Sequence, residues 1–394
     1  MYCHHNSVLV GACYPDSQYY TVPTCSAFLS SRKLVTAVSE EEASFPIAFT
    51  IMTFKSLCQL ERLVAAIFRP HNPICIHVDA RAPNARRIRR SVQNIIKCYH
   101  ASGFTNVFLA SRLVDVEWAT FSSLEADLVC MRDLLAVAKP GTSPTNSNQN
   151  QKTYPWKYLI NLSGNEFPLK TNLEMVRLLR RLDGANVVEG YEMPERMYAE
   201  RFGTKASPFP AESGIRIMKG EPRVFACRGF VEAVFTNPSA RALLAWLNDS
   251  EVHAPDEAFF NTLNHNSAAL PLPGAFTRYG VGPTPYSFVR HILWKAPSNE
   301  KRCASRRWQR GLCIFGVRDL QELTNASLAA FFLNKLYWDV EPLTFDCLEH
   351  WLREKVERER IEGPPLAYSR LLIELDTFHM NTSHVSCPPF QHVR

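Results

Sequence analysis

Several signatures of common chemistries are missing from this 394-residue chain. Neither GxxxxGK[ST] nor GxGxxG occurs, so P-loop and dinucleotide-binding sites lack the glycines that cradle phosphate. GxSxG and HExxH are absent too, and the histidines, His4 and His5 included, have no ligand spacing; no metal site is expected. There is no DxD triplet to bridge a metal to a nucleotide. CxxC is also missing, which removes support for zinc-ribbon and thioredoxin-type readings. No apolar stretch reaches the ~18 residues of a membrane-spanning helix. The first residues, MYCHHNSVLVGACYPDS, show neither the basic start nor the apolar run of a signal peptide. Basic residues are scattered or lie on helix faces (Arg86, Arg87, Arg89, Arg90), not in an aromatic-interleaved strip, so no nucleic-acid partner is expected.

What is present describes an ordinary globular protein. Hydrophobic residues at 46% and charged residues at 21% exclude wholesale disorder. The net charge of +6 suits a protein that handles phosphates without requiring one. Twelve cysteines, all singly spaced, exceed cytosolic usage and imply disulfides formed in an oxidising compartment. Sequons at Asn161, Asn248, Asn325 and Asn381 fit that compartment. Asn161 lies in the apolar run WKYLINL and is expected to be buried and unmodified. The missing leader conflicts with oxidised cysteines: either an anchor lies outside the given residues or the cysteines are reduced, and the first is expected.

Apolar, β-branched runs at PIAFTIMT (46–53), PICIHVDA (73–80), NVFLA (106–110) and WKYLINL (156–162) predict buried strands. Amphipathic spacing predicts helices between them, from Leu57 to Phe68, from Ile88 to Ile96 and over 119–138. Thr171 and Glu174 form a capping box that opens another helix. Alternating strands and helices imply right-handed βαβ units and a largely parallel sheet, with ligands outside the strand carboxyl ends. Asp79, Trp118 and the Ser163–Glu166 turn fall at that edge. The polar stretch 139–155 reads as a surface loop, 266–318 as Pro-rich and irregular, and 238–248, 256–265, 319–333 and 344–360 as helices.

The candidate chemical residues are individually weak. In HAPDEAFF, Pro255 suits a first helical position, and Asp256 and Glu257 in the first turn favour the helix dipole. Glu257 can also serve as a base if it stands at the lip of a cleft. Asp79 can end a strand or bind a ribose or base edge. Arg310 and Lys335 can be solvated charges or can neutralise a diphosphate leaving group, the cationic alternative to a metal.

Longer strings are more specific. CSAFLSSRK, FPIAFTIM, CIHVDARA, WATFSSLEADLVCM, YPWKYLINLSGNEFPLKTNLEMVRLL, HAPDEAFFNTL, GLCIFGVRDL and LNKLYWDVEPLTFDCLEHWL follow one another between residues 22 and 360. In order and spacing they resemble the core 2/I-branching β-1,6-N-acetylglucosaminyltransferases, glycosyltransferase family 14. The resemblance implies an α/β glycosyltransferase A-type fold, a Rossmann-like mixed sheet flanked by helices. It implies metal-free, inverting transfer of N-acetylglucosamine from UDP-GlcNAc to the 6-hydroxyl of a Gal or GalNAc residue in O-glycans. Glu257 matches the family's base. Arg310 and Lys335 match its diphosphate-binding cations, Asp79 its uridine-binding Asp, and Met52 a further donor-pocket position. Glu189 and Arg201 match its acceptor-binding pair.

The resemblance also implies disulfides Cys25–Cys98, Cys75–Cys130 and Cys303–Cys313, with Cys347 joined to Cys13 or Cys3; Cys58, Cys227 and Cys387 find no counterpart. The family's acceptor Lys falls near Tyr198 and is lost. Its aromatic platform aligns with His291 and Leu293, with Trp294 close by, and its FSGSAYF string has become FACRGFV. The expected organisation is a stem remnant (1–21), a catalytic domain (22–360) and a C-terminal extension (361–394). The expected setting is the Golgi lumen, as a type II membrane protein, with a UDP-sugar donor, a glycoprotein O-glycan acceptor, no cofactor and room for a homodimer. A same-fold transferase with another donor or acceptor, xylosyltransferase-like, and an inactive glycan-binding protein are the alternatives.

Overall fold

The computed structural model describes residues 24–138, 152–202, 209, 213–248, 252–277, 289–325, 328–363 and 383–387. Helices α1 (Cys25–Arg32) and α2 (Glu40–Ala43) precede an alternation of β1 (Ile47–Thr53), α3 (Leu57–Ile67), β2 (Ile74–Val78), α4 (Ala85–Ala101), β3 (Val107–Leu109), α5 (Phe121–Val137) and β4 (Tyr158–Ser163). Then come β5 (Glu166–Pro168), α6 (Asn172–Arg181), β6 (Tyr191–Glu192), α7 (Glu195–Phe202), β7 (Met218–Lys219), β8 (Phe225–Cys227), α8 (Arg228–Thr236) and α9 (Pro238–Leu247). A 3-10 turn (Pro255–Glu257) leads into α10 (Phe259–Asn264). The remainder holds β9 (Arg290–His291), β10 (Trp308–Gln309), β11 (Leu312–Cys313), α11 (Leu320–Leu323), β12 (Phe332–Asn334) and α12 (Pro342–Glu362).

The main sheet has the order β3-β2-β1-β4-β8. Its first four strands are parallel, and β8 runs antiparallel to β4. Buried on both faces, β1 and β2 are apolar almost throughout, as a helix-covered parallel sheet requires. Register brings Met52 of β1 beside His77 of β2 and Ser163 of β4, so three strand ends open onto one edge. This is the mixed, helix-flanked sheet of the glycosyltransferase A type.

A second sheet, β5-β12-β9, packs with α3 and α12 around Phe167, Leu333, Leu336, Trp338, Phe345 and Leu348. It corrects one expected element. The helix read over 319–333 is only the four residues of α11, and the apolar run after it enters the sheet as β12. The helix read over 256–265 is divided, its first residues forming the 3-10 turn that carries Glu257. The capping box of Thr171 and Glu174 opens α6.

Disulfides join Cys25 to Cys98, Cys75 to Cys130, Cys303 to Cys313 and Cys227 to Cys387. The last pair corrects the reading that left both cysteines unplaced. It ties residues 383–387 to the sheet edge, where Phe276 bridges His384 and Gly274 N–H donates to the Val385 carbonyl at 2.7 Å. Cys58 and Cys347 are disulfide-bonded as well; Cys3 and Cys13 lie outside the described residues. Among the described residues, no helix is long and apolar enough to cross a membrane.

Candidate active site

The strand edge supplies the first group. Asp79 follows β2, and its Oδ1 accepts the backbone N–H of Arg81 and of Val116, each at 2.9 Å. The carboxylate thus ties the loop after β2 to the loop after β3, whatever else it binds. Met52 is half-buried at the end of β1 and packs against the main core. Gly164, in the turn after β4, passes so close that an added Cβ would stand 2.9 Å from Thr53 Oγ1.

The loop after β3 carries Trp118, 65% exposed despite its size. The Arg310 guanidinium lies over this indole, 4.9 Å from the ring centroid. Arg310 and Gly311 are the two loop residues of the β10–β11 hairpin, both at positive φ (51° and 76°). Such a loop requires left-handed backbone at both positions, which glycine adopts freely and arginine at a cost. The Cys303–Cys313 bridge and a Lys295 N–H bond to the Gly311 carbonyl (2.7 Å) hold the hairpin in place. Lys335 follows β12; burial lowers its ammonium below the ordinary range, and the charge of Arg310 adds to the effect. Half-buried Lys335 beside the exposed Arg310 concentrates positive charge in a way suited to an anion.

From the loop after β3 the site continues into the 3-10 turn. Ala254 and Ala119, both left-handed (φ 54° and 63°), are joined by an Ala254 N–H bond to the Ala119 carbonyl at 2.7 Å. The His253 ring meets Trp118 edge-on at 5.7 Å. His253 N–H donates to the Arg201 carbonyl at 2.8 Å, and Arg201 Nη2 lies 2.7 Å from Glu257 Oε2. Lys219 Nζ approaches the same oxygen at 3.4 Å. Neither cation is aligned with Oε2 as a hydrogen bond, so these are charge contacts. Arg201 Nη1, Asp256 Oδ1 and Asn261 Oδ1 are also buried without a hydrogen-bond partner. Orphaned buried polar atoms are rare in folded proteins, and their concentration here suits a hydroxyl-bearing ligand.

Acidic groups crowd around this turn. Glu189 Oε2 accepts the Glu221 N–H at 2.6 Å, and burial raises its carboxyl above the usual range. Burial, with Glu189 and Glu257 nearby, pushes Glu221 up to about 7. Burial and the Glu257 charge push Asp256 up to about 6. Burial alone would lower Lys219, but the charge of Glu257 and the hydrogen bond its ammonium donates to Tyr191 hold it above the ordinary lysine value.

Beneath the site lies a closed ion network. Glu166 is fully buried; its Oε2 meets Arg290 Nε at 2.8 Å, and its Oε1 accepts from the Ser163 hydroxyl at 2.7 Å. Arg223 bridges Glu166 (3.7 Å) and Asp127 (3.3 Å). Asp127 also accepts from Asn161, which is buried, as expected, and fully engaged.

The structure therefore brings Glu257, Arg201 and Glu189 into one charged cluster, and Arg310 and Lys335 into another, with Trp118 and His253 between them. Asp79 stands at the strand edge beside the same loop. At the aromatic positions, Leu293 is buried in the second core and His291 stacks on Phe315 at 5.2 Å. The exposed aromatic there is Trp294, which bridges Leu312 across the Arg310 hairpin. Tyr198 packs against Phe202 with tilted rings, centroids 4.7 Å apart. Sequence reasoning missed Lys219 and Glu221, which lie in a stretch without periodicity or motif. Among the described residues no three His, Cys, Asp or Glu side chains converge as a metal site.

Comparison with known proteins gives consistent matches. The family model described as Core-2/I-Branching enzyme matches residues 47–324. The Bos taurus protein named beta-1,3-galactosyl-O-glycosyl-glycoprotein beta-1,6-N-acetylglucosaminyltransferase 3 is 32% identical over 368 residues, covering 87% of this chain and 76% of that protein. Its Homo sapiens namesake is 31% identical over 367 residues, with the same coverage. A beta-1,3-galactosyl-O-glycosyl-glycoprotein beta-1,6-N-acetylglucosaminyltransferase of Bovine herpesvirus 4 (strain DN-599) is 32% identical over 356 residues, covering 84% and 73%.

Proposed function

This chain belongs to the Core-2/I-branching enzyme family and is a glycosyltransferase, and we propose that it moves N-acetylglucosamine from UDP-GlcNAc to the 6-hydroxyl of a Gal or GalNAc residue in O-glycans. Asp79 and Met52 would hold the uridine end at the carboxyl edge of the sheet. The acceptor oxygen attacks the anomeric carbon from the Glu257 side and gives its proton to that carboxylate. As the new C–O bond forms, the anomeric carbon–phosphate oxygen bond breaks, and its electron pair leaves on UDP. Attack opposite the leaving group inverts the anomeric centre. Arg310 and Lys335 take up the charge that develops on the diphosphate, the task a metal ion performs elsewhere. The reaction is metal-independent on this reading, which the lack of a DxD triplet supports.

One observation carries the proposal: a single run of contacts leads from Arg310 through Trp118 and His253 to Arg201 and Glu257. On this reading Arg310 and Glu257 work at the two ends of that one run. Glu189 and Arg201 would bind acceptor hydroxyls. The disulfides support an oxidising compartment, and the Golgi lumen is the setting we assign. The test is product-linkage analysis with UDP-GlcNAc and a panel of O-glycan acceptors. A β-1,6-linked N-acetylglucosamine product is expected; turnover of another UDP-sugar alone would replace the donor assignment.

A further inference from the structure

We propose that Lys219 is a positioning residue for the transfer reaction: from the β6–β7 ribbon it offsets the acids around the Glu257 carboxylate and keeps it turned so that Oε1 receives the acceptor proton. The inference rests on the reading of Glu257 as the base.

Backbone geometry fixes Lys219 relative to the 3-10 turn. The next residue, Gly220, donates its N–H to the Glu257 carbonyl at 3.0 Å. Only glycine fits there, because an added Cβ would stand 2.4 Å from Asn261 Nδ2 and 2.6 Å from the Glu189 carbonyl oxygen. Across the ribbon Lys219 pairs with Tyr191, and its ammonium lies 5.4 Å from that ring's centroid. The lysine side chain is 18% exposed, so it is held along its length before it reaches Glu257 Oε2.

Charge explains why a second cation is needed beside Arg201. The groups facing Glu257 are Arg201 from α7, Lys219 from β7, Glu189 before β6, Glu221 after β7 and Asp256 on the same turn. The three acids disfavour another negative charge, and a base must be ionised to act. Lys219 sits among Glu189, Glu221 and Glu257, and its charge acts on all three. The ion pairs to Arg201 and Lys219 both run to Oε2, which assigns the proton to the other oxygen.

The test compares the wild type with Lys219→Met, Lys219→Arg and Glu257→Gln. Initial rates are measured against pH with UDP-GlcNAc and an aryl β-1,3-galactosyl-N-acetylgalactosaminide, and UDP binding is measured by calorimetry. In Lys219→Met the acid limb of kcat/KM is expected to move up by about one pH unit, since an opposite charge at this range shifts a carboxyl by ~1–3 units. UDP affinity should stay within about twofold, because the donor cations are untouched. Lys219→Arg should restore the limb; where Lys219→Met does not fold, Lys219→Gln is read in the same way. An acid limb that stays in place in the neutral variant, or moves equally in Lys219→Arg, overturns the role of Lys219. Wild-type turnover by Glu257→Gln would instead overturn the base assignment.

Discussion

The guanidinium of Arg310 lies 4.9 Å from the centroid of the Trp118 indole, at the tip of a two-residue hairpin loop. Stacking on an indole fixes a planar guanidinium without using its N–H groups, which stay available to an anion. The indole therefore aims the donors of Arg310, and burial does the same for the ammonium of Lys335.

Arg310→Met and Lys335→Met should each weaken UDP binding and slow transfer by roughly 10²–10³-fold, the scale of losing one charge-stabilising donor. With both cations proposed to serve one diphosphate, the double variant should lose less than the product of the two effects. Chelation of divalent metals should leave the wild-type rate unchanged. Steady-state rates with and without a chelator, with calorimetry of UDP, check all three statements.

Glu257→Gln should keep UDP binding and lose transfer by about 10²–10⁴-fold, the usual contribution of a positioned base. The amide is isosteric but cannot take the proton. Comparing UDP release with UDP affinity separates this from a folding defect.

Glu221→Gln should stabilise the folded chain at pH 8 and change little below pH 4.5. The carboxyl is raised from 4.5 to about 7 on folding, so the native state binds its proton more tightly than the unfolded chain. Its favourable contribution is full below pH 4.5 and is lost as pH rises through about 7. With solvent screening the gain at pH 8 is on the order of 1 kcal/mol. Thermal melts at the two pH values read the difference.

Arg290→Met should cost ~3–5 kcal/mol, since it strands the fully buried charge of Glu166. Replacing Glu166 and Arg290 together with apolar residues should cost less than that single change. Chemical denaturation of the three variants measures the coupling.

How legible this structure was in the sequence depends on the kind of signal each part leaves. The runs that became β1, β2 and β4 are apolar because both sheet faces are covered, so hydrophobicity marked them directly. The turn bearing Glu257 was marked by Pro255 and its two acids. The second sheet was not: β12 contributes three residues, and Phe331, Phe332 and Leu333 read equally as a helix face, which is why a helix was expected there. Cys227 and Cys387 are 160 residues apart, and no local pattern records such a pairing. Lys219 was invisible for a related reason. It reaches Glu257 through the β6–β7 ribbon and the Gly220 backbone bond, both set by tertiary contact.

The Cys227–Cys387 bond makes the intervening chain a covalent ring. Glu257, Arg310, Lys335 and Trp294 all sit inside that ring, whereas Met52, Asp79, Trp118, Glu189, Arg201 and Lys219 sit outside it. A single proteolytic nick anywhere between the two cysteines leaves both fragments on one molecule until thiol is added. Arg310, Lys335 and Glu257 therefore stay tethered to each other through damage that would separate them in a linear chain.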